Sequence, residues 1–162
     1  MSDTSVLPGS LVVRTLFEDL LGRDCTVNPG DPLGADQLPT ATIAIYTDNA
    51  QQIYGVIGMQ LPLAANVGAA LGLLPPGAAE DSIDEKKLFP NLAENVFELC
   101  NVLTSLLNRE GAPHVKLYQV VYPGMPVPAD ARALLLALGR RLDLVIDVSR
   151  YGKGTLSLSL AP

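Results

Sequence analysis

NLAENVFELCNVLTSLLN, residues Asn91 to Asn108, sorts its side chains by a helical period. Leu92, Val96, Leu99, Leu103 and Leu106 recur at steps of four, three, four and three, the spacing that lines one face of a helix. That face is expected to be buried. Glu94, Glu98, Asn101, Ser105 and Asn108 follow the same alternation, so the polar residues form a second stripe directed away from the core. Glu98 and Asn101 stand one turn apart: three residues rise about 4.5 Å and return to within about 60° of the starting direction. A carboxylate and a carboxamide so placed can reach the same small object outside the protein. Two details set this stripe apart from a merely solvated face. Asn competes for nearby backbone groups and is a mediocre helix former, yet Asn101 sits at mid-helix. The stripe also holds no basic residue, and Glu94 and Glu98 are like charges at i and i+4, a spacing that costs a few tenths of a kcal/mol. Glu94 has a structural reason as well. With Asn91 as N-cap it falls at N3 and completes a capping box near the positive end of the helix dipole.

Upstream of this helix, Ser82-Ile83-Asp84-Glu85 has capping-box form and leads to Pro90, while Leu73 to Ala79 reads as a loop. Leu61 to Leu74 is strongly apolar and bounded by Pro62 and Pro75, with Pro62 suited to N1 of a helix. The intervening residues span about 20 Å as a helix against about 30 Å of bilayer, so no membrane crossing is expected. Gly68-x-x-x-Gly72 reads as close helix packing against a sheet or a partner helix. Further back, Thr40 to Tyr46 and Gln52 to Gln60 read as a hairpin turning at Asp48-Asn49-Ala50. They follow a Pro/Gly/Asp-rich loop from Asn28 to Pro39, a short strand from Cys25 to Val27, and a helix from Ser10 to Leu21 with Ser10 as N-cap and Gly22 as its end. Downstream, His114 to Tyr122 is strand-like and ends at Pro123-Gly124. Ala129 to Leu138 is helical, with Gly139 as its C′ stop. Leu142 to Ser149 and Thr155 to Leu160 form a second hairpin through Tyr151-Gly152-Lys153-Gly154.

Set side by side, these pieces repeat. Leu20-Leu21-Gly22-Arg23-Asp24, then Val27-Asn28-Pro29-Gly30-Asp31-Pro32 and a hairpin, are echoed by Leu106-Leu107-Asn108-Arg109-Glu110, then Val121-Tyr122-Pro123-Gly124-Met125-Pro126 and a hairpin. The expected fold is α/β of the α+β kind. It is a pseudo-two-fold mixed or antiparallel sheet of about six strands with long helices packed on one face, because helices and hairpins alternate without a regular βαβ rhythm. Residues 1–162 are expected to form one domain containing an internal repeat, about 10–74 and 82–162. Matching the helix ends puts Val12 and Thr15 in the places of Glu98 and Asn101, so only the second half carries the polar pair.

The 162 residues suffice for one full core, burying roughly 70% of the unfolded surface. A chain that is 48% hydrophobic and 17% charged, without Trp, is an aliphatic-cored globular protein and not a disordered one. Its net charge of −6 argues against nucleic acid, since no Lys/Arg cluster exceeds Arg140-Arg141. The first residues, MSDTSVLPGS, show no export signal, so a cytoplasmic protein is expected. Cys25 and Cys100 lack metal-site spacing and read as small buried hydrophobes. His114 is the only histidine and no GxSxG elbow is present, which leaves a Ser-His-Asp hydrolase without support. Gly152-Lys153-Gly154-Thr155 lacks the spacing of a phosphate loop and reads as a hairpin turn. Glu94 and Glu98 lie on one helix without an aromatic platform, which disfavours a glycosidase pair.

Glu98-x-x-Asn101 on a long helix, followed by a strand and Pro123, resembles the CheC/CheX family of chemotaxis phosphatases, and CheX more than CheC because there is one Glu-Asn site. Gly55-Val56-Ile57-Gly58-Met59-Gln60-Leu61-Pro62-Leu63-Ala64-Ala65 and the closing hairpin from Leu142 to Leu160 are also similar to that family. The chain departs from the usual pattern at Glu94, at Ser105, where a Gly is common, and at Pro123, one residue nearer to Asn101. The resemblance implies removal of phosphate from the aspartyl phosphate of a CheY-like receiver domain. Asn101 would position the water, Glu98 would pair with the receiver's lysine, and Glu94 and Ser105 would contribute to partner binding. No cofactor of the chain's own is implied, and Mg²⁺ is expected in the receiver. A non-catalytic adaptor docking on a receiver or a flagellar switch protein is the alternative. A homodimer is a further expectation, through Thr155 to Leu160 as an edge strand.

Overall fold

Side-chain alternation in the first hairpin decides how the sheet is faced. The computed structural model describes residues 7–162, and in it β1 spans Cys25–Pro29 and β2 Thr42–Asp48. Along β2, Ala44 and Tyr46 join one buried cluster while Ile43 and Ile45 join another, the pattern of a strand covered on both faces. The Asp48 carboxylate accepts the amides of Ala50 and Gln52 at 2.9 and 3.0 Å, a local turn device that leads into β3 (Ile53–Met59). With β4 (Val115–Val121), β5 (Arg140–Val148) and β6 (Gly152–Leu160) the sheet has six strands in the order β1-β5-β6-β3-β2-β4. Every neighbouring pair is antiparallel. Exchanging β1, β2 and β3 with β4, β5 and β6 returns the same order read from the other edge, so the sheet is pseudo-two-fold about the line between β6 and β3.

The strand order overturns one expectation. Thr155 to Leu160 is not an edge: β6 is paired on both sides, with β5 and β3, and the open edges belong to β1 and β4. A homodimer through that strand is therefore ruled out by its own hydrogen bonds.

The long helices lie on one face. α1 (Ser10–Leu21), α2 (Leu61–Leu71) and, after α3 (Pro76–Asp84), α4 (Pro90–Val102) meet the sheet there. Val13, Phe17, Leu63, Val67, Val96 and Leu99 pack with Tyr46, Ile57, Ile146 and Leu158 in one core. α2 is apolar on nearly every side and correspondingly buried. It starts tight against β6, where a Cβ at Gly154 would collide with the Leu63 backbone. Gly154 thus serves helix-on-sheet contact as a strand residue, and the tight turn falls at residues 149–151, before β6. The other face is covered by a 3₁₀ turn (Ala35–Thr40) and, beyond the short α5 (Thr104–Leu107), by α6 (Ala129–Leu136). Leu33, Leu38, Ala131 and Leu135 close over Ile43, Ile45, Val56 and Val121. Ser157 and Ser159 are buried on this side of β6, the first accepting the Leu33 amide at 3.1 Å and the second donating to the Leu134 carbonyl at 2.8 Å.

Several local readings change. α3 replaces the expected loop, because Pro76 occupies the first helical position, where a missing N–H is harmless. Ser82 lies near the end of that helix and not at a cap. Its hydroxyl donates to the Lys87 carbonyl and accepts the Phe89 amide, joining α3 to α4. Gly9, not Ser10, is the N-cap of α1, while Gly22 ends it in the left-handed conformation as expected. α6 stops at Leu136 because Ala137 turns extended, so Gly139 is not its stop. The Arg141 guanidinium is ion-paired with Asp143 at 2.8 Å and also donates to the Leu135 carbonyl at the end of α6, so it is structurally committed. No helix among the described residues is long and apolar enough to cross a membrane. The reading of the first residues for an export signal falls partly on residues 1–6, outside the described residues.

Candidate functional site

α4 is held from two sides. Gly68 on α2 and Gly72 just past its end let it approach: a Cβ at Gly68 would meet the Leu92 backbone, and one at Gly72 the Asn95 side chain. Asn95 uses that proximity, donating its amide to the Gly68 carbonyl at 2.9 Å. The G-x-x-x-G spacing thus serves close helix packing, as expected. From the sheet, the fully buried Tyr46 donates its hydroxyl to the Cys100 carbonyl at 2.6 Å. This bond ties the helix backbone to β2 at the residue next to Asn101. Leu92, Val96, Leu99, Leu103 and Leu106 are all buried, the inward stripe in full.

The outward stripe is exposed at Glu94, Glu98, Asn101, Ser105 and Asn108. Its start and end differ from expectation. Phe89 is the N-cap and Pro90 the first helical residue, which puts Asn91 inside the helix and Glu94 two residues beyond N3, so no capping box forms. The Asn91 carboxamide accepts the adjacent Leu92 amide instead, at 3.0 Å. The helix also breaks at Leu103, and Ser105 belongs to the separate turn α5. There the Ser105 hydroxyl donates to the Val102 carbonyl at 3.0 Å, the kind of local bond by which Ser competes with a helix ladder. The amide of Leu106 turns to the Leu103 carbonyl, a 3₁₀-type bond. Asn108 leaves the stripe functionally: its carboxamide exchanges two hydrogen bonds with the Val115 backbone, 2.8 and 3.0 Å long, and starts β4. Glu94, Glu98 and Asn101 remain together on one rigid helix, and among the described residues neither glutamate is ion-paired.

Phe97 is the residue the sequence reading left out. It is 44% exposed between Val96 and Glu98, and its place three after Glu94 and four before Asn101 already put it in the outward stripe. An exposed aromatic beside an acid and an amide gives this face an apolar contact as well as polar ones.

Other chemistry is limited by burial. The Cys100 thiol, next to Asn101, is fully buried and pushed up to about 12 by desolvation. That of Cys25 is raised to about 11, chiefly by burial. Neither supplies a thiolate near neutral pH. Burial also raises Tyr122, which lies beside Cys100. His114 sits exposed just before β4 and not within it. Among the described residues no three His, Cys, Asp or Glu groups come together in a way that would hold a metal ion.

No protein-family model and no curated protein matches the chain in sequence. Solved structures match it in fold. The FliM middle domain from H. pylori is 8% identical with a TM-score of 0.58, over 93% of this chain and 84% of that one. Thermotoga maritima FliY is 11% identical with a TM-score of 0.59, over 98% and 85% of the two chains. A chemotactic CheC-like protein from Shewanella oneidensis MR-1 is 15% identical with a TM-score of 0.50, over 93% and 92%. The six-stranded antiparallel sheet with its long helices on one face is a fold shared with FliM, FliY and CheC-like domains.

Proposed function

We propose that the chain stimulates hydrolysis of the aspartyl phosphate of a CheY-like receiver domain, using the outward face of α4. The observation that supports this most directly is the exposure of Glu98 and Asn101 one turn apart on a helix whose backbone is fixed at Cys100 by Tyr46. Water attacks phosphorus as the bond to the aspartyl oxygen breaks, giving free carboxylate and inorganic phosphate. The receiver's own Mg²⁺ balances charge on the phosphoryl oxygens, so the helping protein has only to hold a water in line. A carboxamide suits that role. Its carbonyl accepts from the water, its NH₂ donates nearby, and being neutral it is not repelled by phosphoryl oxygens. Glu98 would be repelled by the phosphoryl group and is assigned to the receiver's lysine, setting register between the two proteins. Glu94 and Phe97 extend the contact, and Ser105 lies at its far end on α5. On this single Glu-Asn pair we also propose a place nearer to CheX than to CheC.

A second reading has its own support: the H. pylori FliM and Thermotoga maritima FliY folds match with higher TM-scores than the Shewanella oneidensis CheC-like one, and H. pylori FliM has been seen in a FliG–FliM complex. In that reading the same face docks on a receiver or a flagellar switch protein without catalysis. Phosphate release from a phosphorylated receiver separates the two. Wild-type chain is expected to accelerate release, and Asn101→Ala to abolish the acceleration. Binding without acceleration by the wild type overturns the phosphatase reading in favour of docking. A mass measurement in solution tests whether a homodimer forms by any route.

A further inference from the structure

Three connections meet at the end of the sheet where β5 turns into β6: the loop from α1 to β1, the link from α2 to α3, and the turn itself. They border an open hollow of about 360 Å³ whose wall is Leu73, Leu74, Pro75 and Pro76 and whose charged groups are Arg23 and Arg150. Tyr151 joins the three segments. Its ring lies 4.9 Å from the Arg23 guanidinium carbon, and its hydroxyl donates to the Leu74 carbonyl. Arg23 donates to the Ser149 carbonyl at 3.4 Å, while its buried Nε has no acceptor. Among the described residues neither arginine is ion-paired, in a chain with a net charge of −6. Two guanidinium groups without an ion-pair partner therefore share one small hollow with apolar residues in its wall.

The backbone adds an independent sign. Leu73 (φ 57) and Arg150 (φ 75), two of the four described non-glycine residues in the left-handed region, both stand on this rim. Glycine is the low-cost residue in that conformation. Gly72 is adjacent to Leu73, but it is required where it is, against Asn95. No such packing demand explains a long cation at position 150, which is exposed, and strain retained at a cavity rim points to use of the side chain.

We propose that this cavity binds a small organic oxyanion, a carboxylate or a phosphate monoester with an apolar body. Arg23 and Arg150 take the charged end, which guanidinium forks match in geometry. Leu74, Pro75, Pro76 and the Tyr151 ring take the body. The site shares no residue with the outward face of α4 and does not rest on the phosphatase reading.

Titrating the full chain with phenyl phosphate and with benzoate, followed by amide and arginine Nε chemical shifts, is expected to move the signals of Arg23, Arg150 and Tyr151 saturably. The stronger of the two probes identifies the oxyanion. Arg150→Gly removes a surface side chain and relieves the left-handed backbone. It is expected to keep or raise the thermal midpoint while weakening binding by about tenfold or more, the effect of losing one charged partner. Arg132→Ala, on α6 across the sheet, is expected to leave binding unchanged. Failure of both probes to saturate overturns the proposal, as does unaltered binding by Arg150→Gly or equal loss in Arg132→Ala. Inorganic phosphate binding as tightly as phenyl phosphate would also overturn it, because the apolar wall would then contribute nothing.

Discussion

α1 and α4 hold matching places in the two halves of the sheet, and their inward faces are interchangeable where their outward faces are not. Val13, Phe17 and Leu21 on α1 correspond in burial to Leu99, Leu103 and Leu107 in the α4–α5 segment. Outward, α1 shows Leu11, Val12 and Thr15 where α4 shows Phe97, Glu98 and Asn101. The strands beneath differ in the same sense. Tyr46 stands opposite Gly55 in one hairpin and Ile146 opposite Gly154 in the other, so the buried hydroxyl that pins α4 is replaced under α1 by an aliphatic side chain. Core packing constrains the inward residues of both helices equally. It leaves the outward ones free, and only in the second half do an acid, an amide and a backbone anchor coincide.

The largest expected contrast is between the matching positions Asn101 and Thr15. Asn101→Ala should lower receiver-stimulated phosphate release by about 100-fold, the scale of lost positioning, while Thr15→Ala on α1 should leave it within about twofold. Equal effects of the two would break the asymmetry. Glu98→Ala should raise the receiver concentration needed for half-maximal release by about tenfold, as when one charged group is removed from an interface, with a smaller change in the maximal rate. A drop in maximal rate alone would move Glu98 from docking to chemistry.

Tyr46→Phe removes the donor to the buried Cys100 carbonyl and should cost about 1–2 kcal/mol in urea unfolding. Stability equal to wild type would mean that the helix is held by its apolar stripe alone. The smallest effect belongs to α1. Glu18 accepts the Cys25 amide at 3.0 Å, and this bond is the leading cause that lowers its pKa below 4.5. A carboxylate held low stabilises the fold above its unfolded pKa and loses that contribution as pH falls through the folded value. Glu18→Gln should therefore flatten the loss of stability below pH 4.5 and change little at neutral pH. An unchanged acid limb would remove Glu18 from the account.

Residues whose neighbours in sequence are also their neighbours in space were readable in advance. The inward stripe of α4, both hairpins and the glycine end of α1 all follow from local period and turn chemistry. The outward place of Glu98 and Asn101 follows from that same period. Phe97 falls in the outward stripe by that same period, although an apolar residue next to Val96 reads as core. The misreadings have a common form. Pro75-Pro76 looked like a loop and starts α3. Asn91 and Ser82 looked like caps, but Phe89 caps α4, Pro75 caps α3, and Ser82 joins the two helices.

What the chain determined by itself is periodicity: which side chains face in, which face out, and that two similar halves each pair helices with strands. Which strand is central was decided only in three dimensions, since a ladder's partners are chosen by the whole sheet and not by the strand. The same holds for the hold of Tyr46 on Cys100, which joins residues 54 apart in sequence, and for the meeting of Arg23 with Arg150. Hydrophobic burial acts on every residue through its immediate period, whereas contacts between distant segments exist only after the layers have closed.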